Sequence, residues 1–156
     1  MFARAVLAFL TCPGVVALAA PIAWLAYESH LQLRWPPGLA LLIAGLTGLL
    51  WCVRDFYVAG KGTLAPWSPP ERLVVVGLYR CSRNPMYVCV TTILLGWALA
   101  FASPGLLVYA AIVAAAFHLR VVLGEEPWLA ATFGKQWQDY ASKVGRWLSW
   151  PQARRR

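Results

Sequence analysis

The chain carries a polar stretch, Gly77-Leu78-Tyr79-Arg80-Cys81-Ser82-Arg83-Asn84-Pro85-Met86-Tyr87, directly before an apolar run. A second polar stretch, Glu125-Glu126-Pro127, follows the next apolar run. If the two runs form an antiparallel helical hairpin, both stretches lie at the same end of it. Arginine, asparagine, tyrosine and carboxylate groups then converge, and such a set of donors and acceptors suits a small charged ligand. The arrangement predicts a site at a bilayer surface.

The composition indicates a membrane protein. Of 156 residues, 60% are hydrophobic and 13% are charged, and the mean hydropathy is +0.59. A soluble domain has about 25% charged residues. The nine Trp residues fit anchoring at membrane interfaces. The alternative is a soluble all-helical protein, which would expose much of this apolar surface to water.

Four apolar runs predict helices that cross the membrane: about 5–27, 38–53, 88–101 and 105–123. A span needs about 20 residues, so the second run must extend to Tyr57 and the third must include Met86. The first run also has features of a cleavable signal peptide. Its apolar character continues through Tyr27, which favours an uncleaved span.

The distribution of charge predicts the orientation. Lys and Arg cluster in 54–83 and 135–156, whereas the links near Arg34 and Ser103 carry one and none. The positive-inside rule places both termini and the middle loop in the cytosol. The expected location is a bacterial inner membrane, and the net charge of +8 reflects this topology and contact with anionic headgroups. Nucleic-acid binding is not expected, because no soluble basic domain is present.

After Pro127 the chain becomes amphipathic. Polar residues of 135–143 separate apolar residues that recur every three or four positions, namely Trp128, Leu129, Phe133, Trp137, Tyr140 and Val144. This pattern predicts a helix that lies in the membrane interface. The predicted fold is an all-α polytopic membrane protein with about four transmembrane helices, a cytosolic middle loop and a C-terminal interfacial amphipathic helix.

Several kinds of site find no support in the sequence. The four cysteines form no C-x-x-C pair and no Cys/His spacing typical of zinc, so no metal site is predicted. Cys81 has no histidine near it in sequence that would act as a base. Gly60-Lys61-Gly62 is a bare G-x-G without the strand and helix that a dinucleotide site requires.

Ionisable residues near the fourth span are the other candidates for chemistry. Glu125 and Glu126 point about 100° apart on a helix, so both do not face lipid; a hydrated charge pair is the alternative interpretation. His118 lies seven residues before Glu125, and an ionisable residue inside a membrane is a functional candidate by default. A packed, hydrogen-bonded histidine is the alternative. Arg120 lies closer to the interface, where its side chain can snorkel.

The polar stretches resemble two related families of membrane enzymes, the isoprenylcysteine carboxyl methyltransferases and the phospholipid (phosphatidylethanolamine) N-methyltransferases. The shared features are Gly77-Leu78-Tyr79, Arg83-Asn84-Pro85-Met86-Tyr87 and Glu125-Glu126-Pro127-x-Leu129. Phe133-Gly134-x-x-Trp137-x-x-Tyr140 and Val144-Gly145-Arg146-Trp147 are similar to the ending of the first family. Leu95-Gly96-Trp97-Ala98 and Ala102-Ser103-Pro104 are similar to the second. The resemblance covers about 60–150.

The chain length predicts one domain, 1–156, in which 1–58 forms the first two spans and 59–156 the cofactor-binding core that the resemblance implies. It implies S-adenosylmethionine as methyl donor, bound between the last two spans and the C-terminal segment. The matching cofactor positions are Leu73, Val74, Tyr79, Asn84, Pro85, Met86, Tyr87, Glu125 and Glu126. Four positions depart from the families' patterns. The segment that begins at Glu71 lacks a histidine expected in the isoprenylcysteine enzymes, and Asn84 replaces another histidine of those enzymes. Val121 replaces their substrate-binding arginine, and only Gly45 remains of an earlier G-x-G of the phospholipid enzymes.

These residues suit methyl transfer, in which positioning of the two reactants supplies much of the catalysis. The expected catalytic residues are Arg83, Glu125 and His118. Arg83 would pair with the donor's carboxylate, and Glu125 or Glu126 would hold its amino or ribose groups. Tyr79 or Tyr87 would pack against adenine or face the sulfonium. The expected substrate-binding residue is Arg120, one position from Val121.

The predicted function is an integral membrane methyltransferase that uses S-adenosylmethionine and a lipidic or lipid-linked acceptor. A carboxylate acceptor needs no general base, whereas an amine acceptor would require His118 or a glutamate. One alternative is a membrane NADPH-dependent reductase of sterol-reductase-like architecture, which has a similar Tyr/Arg-x-Pro-x-Tyr stretch. Another is a non-catalytic membrane subunit with a structural ion-pair network. The expected partners are the lipid bilayer and a hydrophobic acceptor, and the oligomeric state is left open.

Overall fold

The computed structural model describes residues 10–28, 32–60 and 72–149, and all regular structure within these ranges is helical. The elements, in chain order, are a π-helical segment Leu10–Ala19, α1 (Ala20–Glu28), α2 (Pro37–Gly60), a 3₁₀ turn Gly77–Arg80, α3 (Pro85–Ala100), α4 (Pro104–Arg120), a π turn Val121–Glu125, α5 (Glu126–Phe133) and α6 (Lys135–Lys143). The all-α prediction is confirmed.

The apolar helices identify a polytopic membrane protein. Pro37–Gly60 and the continuous helical stretch Pro104–Phe133 are long and apolar enough to cross a membrane, with hydropathies of 1.7 and 2.2. Pro13–Glu28 and Pro85–Ala100 are apolar but shorter. Each of the four predicted runs is therefore helical over its described part. α3 is short because a proline occupies its first turn and the turn before Pro104 ends it.

The fourth helical stretch continues beyond its predicted end at Leu123. A proline lacks the N–H of a helical hydrogen bond, and its ring clashes with the carbonyl four residues earlier. The π turn accommodates Pro127, because the widened turn changes the pairing: the Glu126 N–H donates to the Val121 carbonyl five residues back. The helix therefore carries the glutamate pair past the end of the apolar run.

Two aromatic side chains compensate for Pro21 in the first span. Pro21 has no N–H to donate to the carbonyl of Ala17, as in an α-helix, or of Val16, as in a π-helix. Trp97 Nε1 of α3 donates to the Ala17 carbonyl at 3.0 Å, and the Tyr109 hydroxyl of α4 donates to the Val16 carbonyl at 3.2 Å. These bonds connect the first span to the hairpin, as expected for a proline inside a membrane helix.

Helices α2 and α3 form the most extensive helix pair, and small residues allow their backbones to approach closely. A Cβ atom at Gly45 would lie 2.7 Å from Ile93 Cγ1, and one at Gly96 would lie 2.7 Å from the Leu42 nitrogen. Close contact through small residues is typical of membrane helix pairs. Gly45, the remnant of the expected G-x-G, therefore packs against α3.

Parts of the predicted organisation lie outside the described residues. These parts are residues 1–9, 61–71 and 150–156, which include Lys61, Glu71 and the basic tail. α2 reaches Gly60, so the middle loop begins later than the charge at Arg54 suggests. The C-terminal amphipathic helix divides at Gly134, whose φ of 51° ends α5 before α6 begins.

Candidate active site

We call residues 77–84, which precede α3, the polar turn; one glycine shapes it and one buried tyrosine holds it. Gly77 has φ of 55°, a conformation that glycine adopts without a steric penalty, and it turns the chain into the 3₁₀ segment. The Tyr140 hydroxyl of α6 donates to the Tyr79 carbonyl at 2.6 Å. Burial raises the pKa of Tyr140 above its ordinary value, so the phenol remains a neutral donor. The turn is thereby attached to the C-terminal helix.

Two arginines from distant parts of the chain hold the Glu126 carboxylate. Arg83 Nη1 lies 2.9 Å from Glu126 Oε1. Arg146 binds both oxygens, with Nε 3.0 Å from Oε1 and Nη2 2.7 Å from Oε2. The hydrogen bond to Glu126 raises the pKa of Arg146. This two-pronged geometry fixes both the position and the plane of the carboxylate.

Glu125 is held by a different pair of residues. The Tyr87 hydroxyl of α3 donates to Glu125 Oε1, and Arg120 Nε donates to the same oxygen at 2.8 Å. The Tyr87 ring stacks on Phe117 of α4 with centroids 4.3 Å apart. Residues of α3, α4 and the π turn therefore fix this carboxylate at the end of the hairpin.

The segment after α6 crosses the polar turn and is hydrogen-bonded to it. The Arg83 N–H donates to the Gly145 carbonyl at 3.0 Å, and the Ser149 N–H donates to the Cys81 carbonyl at 2.8 Å. The Ser149 hydroxyl also donates to the Cys81 carbonyl at 2.9 Å. We call residues 144–149 the C-terminal strap. It brings Arg146 next to the glutamate pair.

Asn84 connects the start of α3 to this strap. Its side-chain Nδ2 donates to the Arg146 carbonyl at 3.1 Å, and its own N–H donates to Ser82 Oγ at 3.0 Å. Ser82 is buried, and its hydroxyl also lies 3.4 Å from the Arg146 carbonyl. Asn84 is thus bonded to the strap through its side chain and to Ser82 through its backbone.

We call the ion-paired residues Arg83, Arg120, Glu125, Glu126 and Arg146 the charged cluster. A cleft of about 360 Å³ lies beside this cluster between α3 and α4. Its volume falls within the range of about 300–1,000 Å³ for small-molecule sites. The lining is mainly apolar or aromatic and consists of Tyr87, Val88, Thr91, Thr92, Ala114, Phe117, His118, Trp147 and Leu148. The two threonine hydroxyls donate to carbonyls of their own helix, at 2.8 and 2.9 Å. They contribute little unsatisfied polarity to the cleft.

A second cleft, of about 400 Å³, lies at the opposite end of the hairpin. Its lining is apolar apart from Trp35 and Ser103. The Ser103 hydroxyl donates to Glu28 at 3.0 Å and accepts from the Leu106 N–H at 3.3 Å, so it is already engaged. The first cleft is the better candidate, because it adjoins the charged cluster.

The structure brings together six of the predicted site residues: Arg83, Asn84, Tyr87, Arg120, Glu125 and Glu126. His118 lies apart from the ion pairs, exposed at the cleft, with its ring centroid 5.9 Å from that of Trp147. Arg120 reaches Glu125, whereas Val121 is fully buried in the helix packing.

The remaining predicted cofactor residues have packing side chains. Tyr79 and Val74 lie in the main core, Met86 packs against that core, and Leu73 packs against the buried face of α6. Pro85 is buried at the start of α3. Through this packing, these side chains stabilise the elements that carry the site. Their direct role in cofactor binding stays a prediction.

Three further residues contact the predicted site residues or the polar turn, although no role at the site was predicted for them from the sequence. Arg146 binds Glu126, Tyr140 binds the polar turn, and Trp137 lies under Arg83, whose guanidinium carbon is 5.7 Å from the ring centroid. Their motifs, Trp137-x-x-Tyr140 and Val144-Gly145-Arg146-Trp147, were recognisable, but sequence spacing does not reveal where the strap folds.

Comparison with known proteins gives one result. The family model for phospholipid methyltransferases matches residues 35–136. Searches of curated proteins and of solved structures give no significant match. The matched range contains α2, α3, α4, the polar turn and the glutamate pair, and it ends before the strap. The chain therefore belongs to the phospholipid methyltransferase family.

Proposed function

We propose that this protein is an S-adenosylmethionine-dependent methyltransferase that acts on a lipidic or lipid-linked acceptor. The observation that carries the proposal is the charged cluster at the end of the α3–α4 hairpin, beside a mainly apolar cleft. Family membership supports a membrane methyltransferase, and the cluster supports the choice of cofactor.

The hydrogen-bonding groups of the charged cluster fit a ligand that consists of an amino acid attached to a nucleoside. Arg83 Nε is buried and has no hydrogen-bond partner within the described part of the chain, so it can donate to a ligand carboxylate. Glu125 and Glu126 provide acceptors for an ammonium group or for ribose hydroxyls. Three arginines and two glutamates leave the cluster with an excess of positive charge, which favours the carboxylate end of the cofactor.

The residues of the chain act by orientation. When bound, S-adenosylmethionine supplies an electrophilic methyl group on a sulfonium. Arg83 would hold the carboxylate and Glu126 the amino group, while Tyr87 and Phe117 offer aromatic surface to the rest of the cofactor. Holding two reactants in line converts a bimolecular step into an effectively unimolecular one.

The cleft supports an acceptor with a hydrocarbon chain. Its wall between α3 and α4 is mainly apolar, and His118 belongs to its lining. Arg120 lies outside the lining and binds Glu125, the carboxylate that also accepts from Tyr87 of the cleft. Arg120 is exposed and uses Nε to bind Glu125, so its terminal nitrogens can bind an anionic group of the acceptor. If the acceptor is an amine, His118 is the residue placed to accept the proton.

We also propose that the site faces the cytosol. The end of the bundle that holds the charged cluster also carries exposed cations, namely Arg54, Arg72, Arg80, Lys135 and Lys143. Loops rich in Lys and Arg remain on the cytosolic side. The methyl donor is charged and water-soluble, so this placement gives it direct access.

Titration of the detergent-purified protein with S-adenosylmethionine tests the proposed cofactor. We expect micromolar binding that weakens by about tenfold or more in Glu125→Gln, because hydrogen bonds to charged groups contribute about 1.5–3 kcal/mol. Asn84→Ala removes the neutral bond to the Arg146 carbonyl that orients the strap, and it should weaken binding by about fivefold. Asp139→Asn, which removes an exposed carboxylate of α6, should bind normally. Selective binding of NADPH would instead indicate a reductase, and binding of neither ligand would indicate a non-catalytic subunit.

The acceptor can be identified with a radiolabelled methyl donor and a native lipid extract. We expect the label to enter an extractable lipid. Treatment of that product with base then separates the two acceptor classes, since a methyl ester releases its label and an N-methyl group retains it. Labelling of water-soluble products alone would contradict a lipidic acceptor.

A further inference from the structure

Arg146 lies outside the matched family range and is hydrogen-bonded through both its side chain and its backbone. Its guanidinium binds both oxygens of Glu126, and its carbonyl accepts from Asn84 and Ser82. Its side chain therefore contacts α5 while its backbone contacts the polar turn. No other described residue bonds to both of these segments through separate side-chain and main-chain groups.

Glu126 also contacts Arg83, but that contact uses one Arg83 nitrogen and one carboxylate oxygen. Arg83 retains a buried Nε–H without a partner in the described residues. If Arg83 alone held Glu126, a ligand carboxylate that recruits Arg83 would release the glutamate. Because Arg146 holds both oxygens of Glu126, the carboxylate can stay in place while Arg83 engages the ligand.

We propose that Arg146 is a positioning residue that fixes Glu126 for binding of the methyl donor and leaves Arg83 available to the donor's carboxylate. This inference rests on the proposed function. Arg146 acts through Glu126, since both of its bonded guanidinium nitrogens point to that carboxylate. A lysine would keep the charge but lose the planar fork.

The test is a double-mutant cycle of Arg146 and Glu126. For each variant in detergent, we would measure the dissociation constant of S-adenosylmethionine, and kcat and KM for this donor. We expect Arg146→Gln to weaken donor binding by about tenfold and to raise KM for the donor more than it lowers kcat. Arg146→Lys should recover part of the loss. In a Glu126→Gln background, Arg146→Gln should add less than about a twofold further effect.

Lys143→Gln is the matched control, because it removes one exposed cation from the end of α6 and should bind the donor normally. Thermal unfolding of each variant reports on folding separately. An equal loss in the Glu126→Gln background would overturn the inference, as would unchanged donor binding in Arg146→Gln. If the wild-type protein binds no S-adenosylmethionine, the proposed function fails and this inference fails with it.

Discussion

Glu125 and Glu126 are neighbours in sequence, yet their carboxylates hold different partners. Adjacent helical residues point about 100° apart, so the two groups face different sides of the helix end. Glu125 faces α3 and binds Tyr87, whereas Glu126 faces the polar turn and the strap. At the residue scale, the pair therefore offers two differently placed acceptors instead of one duplicated charge.

The family motif includes Tyr87 but does not show that its hydroxyl donates to Glu125. Tyr87→Phe should keep the stacking on Phe117 and remove the donor to Glu125. We expect kcat/KM to fall by about tenfold, since hydrogen bonds to charged groups contribute about 1.5–3 kcal/mol and Arg120 still holds the carboxylate. Tyr27→Phe, at an exposed tyrosine, is the control. Equal activity of both variants would show that the hydroxyl is dispensable.

Departures from regular helix geometry determine how the elements meet. The π turn at Val121–Glu125 accommodates Pro127 and continues the helix to Phe133. Pro21 in the first span leaves two carbonyls that aromatic donors from the hairpin satisfy. Both prolines are visible in the sequence, but the residues that compensate for them come from other helices or from a local change in pitch.

Trp97 provides the element-scale prediction. Trp97→Phe removes the donor to the Ala17 carbonyl and should lower the free energy of unfolding by about 1 kcal/mol, the usual contribution of such a bond. In a Pro21→Ala background, Trp97→Phe should lower the free energy of unfolding by half as much or less, because the new N–H at position 21 can donate to the Ala17 carbonyl. Unfolding in mixed micelles titrated with SDS measures both values.

Trp128→Phe, at a half-exposed tryptophan of α5, controls for loss of an indole outside this contact. It should leave the free energy of unfolding almost unchanged. If Trp97→Phe lowers the free energy of unfolding equally with Pro21 and with Pro21→Ala, the indole stabilises the span through packing alone.

At the scale of the whole molecule, the bundle places apolar surface toward the bilayer and gathers polar groups at one end. Ile43, Val58, Ile112 and Leu123 are among the large exposed apolar residues, which suits contact with lipid. The polar turn, the glutamate pair and the strap meet where α3 begins and α4 ends. This arrangement would let the proposed cofactor approach from water and the proposed acceptor from the bilayer.

The orientation of the bundle can be measured by cysteine labelling. Gln32→Cys lies near the end of α3, as the bond from the Arg34 N–H to the Ala100 carbonyl shows, and Lys143→Cys lies at the site end. In a background without the four native cysteines, a membrane-impermeant maleimide should label position 32 in intact cells. Position 143 should react only after permeabilisation, since the positive-inside rule places it in the cytosol.

The purified cysteine-free variant should still bind S-adenosylmethionine, which controls for correct folding. Labelling of position 143 in intact cells would contradict a cytosolic site without affecting the assignment of the family.

The amino-acid sequence by itself determined the all-α membrane architecture and the proximity of the two polar stretches. Hydropathy identifies apolar helices because lipid requires internally bonded backbones. A short turn at Ser103 then forces a hairpin, which is enough to place Arg83 near Glu126. These conclusions depend on local patterns and on chain connectivity, and the structure agrees with them.

Only the tertiary structure decided which partner each charge has. Arg146 follows Glu126 by twenty residues, and its approach depends on the break at Gly134 and on the strap's bonds to the polar turn. Arg120 reaches Glu125 across the π turn, while Val121 enters the core. Side-chain direction at these positions depends on helix pitch and on packing between distant segments, and a linear pattern does not contain that information.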